Sequence, residues 1–162
     1  MPDQDLTTGI PAATPNKFEA AVKKLGLLTD QQIELLRVES INSGRSIEDI
    51  GRDMGLLSEE SIAKAKGEML HVPYADLRDT IVKREVLNQL PEEVAKHYRM
   101  VAFAPNGVKR FKVALVDPKD IQALEALEFV SKKANFHVDI HVASKTSIDA
   151  VTAQYGNLSR EV

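Results

Sequence analysis

Leu25-Gly26-Leu27-Leu28-Thr29 and Met54-Gly55-Leu56-Leu57-Ser58 carry one five-residue pattern twice, offset by 29 positions, and they decide the fold of the first half of the chain. Ahead of the first copy, Phe18, Ala21, Val22 and Leu25 fall at i, i+3, i+4 and i+7, one face of a short helix. Gly26 stops that helix in the manner of a C-cap glycine. Behind it, Thr29 and Gln32 have the spacing of a capping box, and Ile33, Leu36 and Ser40 continue a second helix to about Asn42–Gly44. The second copy repeats this order, with Ile47 answering to Phe18, Ile62 to Ile33 and Glu68 to Glu39. Ser58 precedes Glu59 and Glu60, acids where a helix N-terminus favours them. A solenoid needs about three repeats. Two imply a four-helix subdomain over residues 16–71.

On the N-terminal side, Met1–Pro15 holds Pro2, Pro11 and Pro15 with little apolar content and reads as a flexible tail, residues 1–15. On the other side, His71-Val72-Pro73-Tyr74-Ala75-Asp76-Leu77 reads as an extended link. Helical spacing resumes over Val82–Tyr98 and is broken at Pro91, which fits the start of a new helix. Met100–Ala104 is a strand, Asn106-Gly107 a hairpin turn and Phe111–Val116 the return strand. Asp117-Pro118 opens a helix to about Lys133, with Asp117 as N-cap and Ile121, Leu124, Leu127 and Val130 inward. His137–Ala143 alternates as a third strand, and Ser144 or Thr146 caps a last helix through Tyr155, closed by Gly156. The expected fold class is α+β: a helical tandem-repeat subdomain, then an α-β-β-α-β-α subdomain over residues 72–156 with a three-stranded sheet. A linker starts at 157–162.

Composition narrows the function. Net charge is −3, with 21 basic and 24 acidic residues, so no strong field favours nucleic acid or an anionic membrane. There is no cysteine, which excludes disulfides and thiolate metal sites and suits a reducing cytosol. Met1–Pro15 lacks the apolar stretch of a signal peptide, and no apolar run approaches the ~20 residues of a membrane span.

Catalytic patterns are missing. A phosphate loop requires G-x-x-x-x-G-K-[ST], whose backbone N–H groups cradle phosphates; Gly51 and Gly55 have the wrong spacing and no Lys-Ser/Thr follows. His137 and His141 lie on a predicted strand, where four residues span about 13 Å, too far to share a metal. The pairs Glu59-Glu60 and Glu92-Glu93 fall in first helical turns, where the macrodipole accounts for them. Lys23-Lys24, Lys83-Arg84, Lys109-Arg110 and Lys132-Lys133 are scattered, aromatic content is 5%, and the second helix of each repeat is net acidic. That composition disfavours base stacking or a helix in the major groove.

Five stretches in order carry a family resemblance: L-G-L-L-T-D-Q-Q-I from Leu25, M-G-L-L-S-E-E-S-I-A-K-A from Met54, H-V-P-Y-A-D-L from His71, L-P-E-E-V-A-K-H-Y-R-M-V from Leu90, and V-A-L-V-D-P-K-D-I-Q-A-L-E-A-L-E-F from Val113. Over Asn16 to Tyr155 the chain resembles the N-terminal domain of type II secretion and type IV pilus assembly ATPases, the general secretory pathway protein E-like family. The resemblance implies a non-catalytic, two-part domain ahead of a hexameric ATPase core that would lie beyond Val162, through which it joins the motor hexamer. It implies a cytoplasmic protein held at the inner membrane by docking on a platform or pilus-scaffold protein, without a cofactor.

An alternative comes from those pilus members whose tandem repeats bind cyclic di-GMP and begin with Arg-Leu-Gly. Aligned on Gly26, that triplet falls on Lys17-Phe18-Glu19; aligned on Gly55, it falls on Ser46-Ile47-Glu48, with Arg45 one place earlier. Lys17, Phe18, Arg45 and Ile47 are therefore the candidate ligand residues. Glu19, Glu48 and Gly51 depart from the pattern, and the two acids would repel a dianionic ligand. A docking module is the expectation, and a cyclic di-GMP sensor the alternative.

Overall fold

Glycine stops and hydroxyl caps set the helix limits of the repeats. The computed structural model describes residues 17–156; the expected tail and linker lie outside the described residues. Helix α1 (Lys17–Lys24) ends before Gly26, whose φ of 67° is costly for any residue with a Cβ. Helix α2 (Asp30–Ser43) opens with the reciprocal capping box: Thr29 Oγ1 accepts from Gln32 N–H at 3.1 Å, and Gln32 Oε1 accepts from Thr29 N–H at 2.9 Å. Gly44 closes it in the left-handed region. Ser46 caps α3 (Ile47–Asp53), and Ser58 caps α4 (Glu59–Leu70).

The chain divides into two compact units between Leu56 and Leu57. In the first, buried Leu36, Ile47 and Ile50 form a cluster against which Phe18, Leu28 and Leu56 pack. Ala21, Val22 and Ile33 are also buried. Leu25, expected on the buried face, is partly exposed because α1 has already ended at Lys24.

The division falls ahead of the 71/72 boundary that the change of period suggests, so α4 groups with the second unit. Close packing explains this. A Cβ on Gly67 of α4 would lie 2.7 Å from the Val72 carbonyl oxygen and 3.0 Å from Val142 Cγ1. The link after α4 is extended, as expected, and is bound: Val142 N–H donates to Pro73 O and Ala75 N–H to Val142 O, both at 2.8 Å.

The second unit holds one sheet in the order β1-β2-β3. Strands β1 (Met100–Pro105) and β2 (Arg110–Leu115) pair antiparallel across the Asn106-Gly107 turn, where Gly107 adopts φ 116°. β3 (His137–Val142) pairs parallel to β2, an arrangement that requires a crossover, here α7 (Ile121–Ala134). Helices α5 (Arg84–Leu87), α6 (Glu92–Tyr98) and α8 (Lys145–Thr152) complete the unit, with Pro91 just before α6 and Ser144 capping α8. Leu87, Leu90, Met100, Val101, Leu115 and Ile148 are fully buried. The Tyr155 hydroxyl lies 2.8 Å from both Leu87 O and Leu90 O.

The start of α7 corrects the sequence reading. Asp117-Pro118 form a turn, with Asp120 N–H donating to Asp117 O at 3.1 Å. Asp120 is the N-cap, because its carboxylate accepts from both Gln122 N–H and Ala123 N–H. The inward stripe turns accordingly: Ala123 and Leu127 are buried, Leu124 and Val130 half-buried, and Ile121 exposed.

Candidate functional site

The two repeat starts are brought to one place through their apolar members. Phe18, from the first turn of α1, packs on the cluster that contains Ile47, the first residue of α3. Ile47 is buried, at 8% exposure. Lys17 opens α1 and is exposed. Arg45 is half-exposed and its guanidinium donates to the Asp53 carboxylate, an ion pair that raises the Arg45 pKa above its ordinary value. Its backbone is held in the turn, with Arg45 N–H donating to Ser43 Oγ at 3.2 Å and Arg45 O accepting from Ser40 Oγ at 2.7 Å.

Glu19 stands where the resemblance places glycine. It is buried, and Arg37 Nε donates to it at 2.9 Å; Arg37 also donates to Glu34 at 2.6 Å. The hydrogen bond from Arg37 and the charge of Glu19 raise the Arg37 pKa. The acid that should repel a phosphate is thus matched within the first unit. Sequence spacing gave no sign of this pair.

A second polar constellation occupies the second unit. The Glu60 carboxylate accepts from the Tyr74 hydroxyl and, at 3.3 Å, from Ser147 Oγ, while Lys64 Nζ stands 5.5 Å above the Tyr74 ring. Burial, with the hydrogen bond to Glu60, pushes the Tyr74 phenol well above its ordinary pKa. A phenol held neutral, with its proton committed to a carboxylate, serves as a tie between α4 and the segment after it. It is not an activated nucleophile. Between α6 and α8, a cavity of about 330 Å³ is walled by Ala95, Lys96, Arg99, Asp149, Thr152 and Ala153. Those side chains provide no aromatic face for a base.

One surface escaped the sequence reading. Leu35, Val38 and Ile41 of α2 are 45%, 42% and 64% exposed. The signal was present: Ile33, Leu35, Leu36, Val38 and Ile41 are too many apolar positions for one stripe. Among the described residues, no helix is long and apolar enough to cross a membrane, and no group of three or more His, Cys, Asp or Glu could hold a metal ion.

Residues 70–162 match the model of the MshEN domain. The chain is 34% identical over 115 residues to the type IV pilus assembly ATPase PilB of Thermus thermophilus, covering 69% of this chain and 13% of that protein. It is 26% identical over 129 residues to PilB of Myxococcus xanthus, covering 80% and 22%. The chain thus spans less than a quarter of either relative. Among solved structures, MshE with cdg (cyclic di-GMP) is similar in fold, with TM-score 0.66, 23% identity and coverage of 87% of this chain and 99% of that one. The N-terminal domain of XpsE matches with TM-score 0.54 and 24% identity over 85% and 92%. The resemblance read from the five stretches and the α+β architecture both hold. The chain belongs to the MshEN domain family and corresponds to an accessory N-terminal module of pilus and secretion motor ATPases, not to their catalytic core.

Proposed function

We propose that this chain is the docking and regulatory module of a secretion or type IV pilus motor. It binds a cytoplasmic segment of an inner-membrane platform or scaffold protein and so holds the motor at the membrane. The observation that carries this reading is the closure of polar groups around the repeat starts: Arg45 with Asp53, and Glu19 with Arg37. With Ile47 buried and half-buried Phe18 packed against its cluster, these groups support the fold and leave recognition to the surface. Titration with cytoplasmic domains of platform and scaffold proteins from the same organism is the test. Saturable micromolar or tighter binding is expected, and uniform absence of binding would overturn the reading.

A second reading, sensing of cyclic di-GMP, has the fold likeness to MshE with cdg in its favour. Lys17 and Arg45 are the cations it would use. Calorimetry with the dinucleotide separates the two readings.

A further inference from the structure

We propose that the partner docks on the outward face of α2 and that the docking segment is a basic amphipathic helix. This rests on the docking reading and names its surface and the chemistry of its partner. At 100° per residue, Val38 lies at the centre of this face with Leu35 and Ile41 about 60° to either side. Ile33 and Leu36 point the opposite way and are buried. The helix is anchored by that buried side, by its capping box and by Gly44, so the exposed residues stand on a rigid element. Spaced by three, Leu35, Val38 and Ile41 form a ridge of about 9 Å, of the kind that fits between the side-chain rows of a second helix.

Charge selects the occupant. Asp30, Glu34 and Glu39 border or interrupt the ridge. The nearby cations are engaged: Arg37 is matched by buried Glu19 as well as by Glu34, and Lys23 lies 3.6 Å from Asp30. Acids remain in excess. A second copy related by a twofold axis would bring this acidic border against itself, which opposes self-association. A partner helix with an apolar stripe between lysines or arginines satisfies both the ridge and its border.

The probe is a synthetic 18-residue peptide with leucines at helical spacing and lysines elsewhere, titrated alongside a scrambled peptide and one with glutamate for lysine. The lysine helix is expected to bind at least about tenfold tighter than either control. Val38→Gln with Ile41→Gln, both neutral changes at exposed sites, should weaken it by a similar factor. Ile121→Gln, exposed on α7, should leave it unchanged. Circular dichroism checks the fold, and Ile41→Gln alone carries the test if the double variant fails to fold. Equal binding to wild type and variant, or equal binding of the lysine and glutamate helices, would overturn the proposal. So would a dimer in sedimentation that the double variant dissociates. A platform domain that binds wild type and variant equally would overturn this surface while sparing the docking reading. If no platform domain binds, the docking reading fails, and the peptide comparison still decides what the ridge accepts.

Discussion

Glu19 Oε1 accepts a hydrogen bond from Arg37 Nε at 2.9 Å, joining α1 to α2 inside the first unit. Glu19 is 5% exposed, and that guanidinium compensates its carboxylate in a site that water barely reaches. Removing one partner of a buried pair costs about 3–5 kcal/mol. Arg37 is partly solvated and Glu34 shares it, which lowers the cost here. Arg37→Leu, which removes this guanidinium from the buried acid, is expected to destabilise by about 2–3 kcal/mol, and Glu19→Gln by about 1 kcal/mol. The Glu19→Gln/Arg37→Leu double variant should recover part of the loss. Urea denaturation measures all three, and strictly additive costs would show that the two residues do not interact.

Gly67→Ala should lower the melting temperature. Alanine adds up to about 1 kcal/mol of helix propensity. Its Cβ, however, would meet the Val72 carbonyl oxygen at 2.7 Å and Val142 Cγ1 at 3.0 Å. Overpacking against backbone costs about 1–3 kcal/mol, so steric cost is expected to win. A variant as stable as wild type would mean that the segment after α4 shifts without penalty.

Tyr155→Phe removes a hydroxyl positioned to donate to Leu87 O or Leu90 O in the core of the second unit. The ring can keep its packing while the carbonyls lose a donor, and a loss of about 1–2 kcal/mol is expected. Chemical denaturation tests this; a change below about 0.5 kcal/mol would show that water replaces the hydroxyl.

Acid should weaken the fold through Asp76. Hydrogen bonds from the Arg78 side chain and backbone lower the Asp76 pKa from 3.8 to about 2. A depressed carboxylate contributes stability above its unfolded value, and that contribution is lost as pH falls from about 4 towards 2. The pair is exposed, so the slope should be shallow and flatten further with salt. Melting temperatures of wild type and Asp76→Asn across this window provide the comparison. Identical slopes would remove Asp76 from the account.

Cyclic di-GMP should bind weakly. Each lost charge-assisted contact is worth about 1.5–3 kcal/mol, roughly ten- to hundredfold in affinity. Arg45 would have to leave Asp53, and Glu19 and Glu48 replace the glycines of the expected triplets. A submicromolar dissociation constant that Arg45→Ala abolishes would establish the sensing reading instead.

The sequence by itself determined the helix limits of the repeats. Thr29, Ser46 and Ser58 cap neighbours three residues away, and Gly26, Gly44 and Gly55 adopt positive φ through their own backbone freedom. Such signals are local, so they survive reading one residue at a time. It also carried the three strands, through alternation and the Asn106-Gly107 turn. Tertiary structure decided the rest. Asp117 and Asp120 are both able caps, and only the register of α7 selects Asp120. α4 resembles α2 in sequence, yet Gly67 and the strand it meets at Val142 give it to the second unit. Ile47 had the position of a candidate ligand residue and Glu19 that of a triplet glycine, and contacts with Leu36 and Arg37, distant in sequence, bury both. Burial depends on partners brought by the fold, and neither periodicity nor a motif records who those partners are.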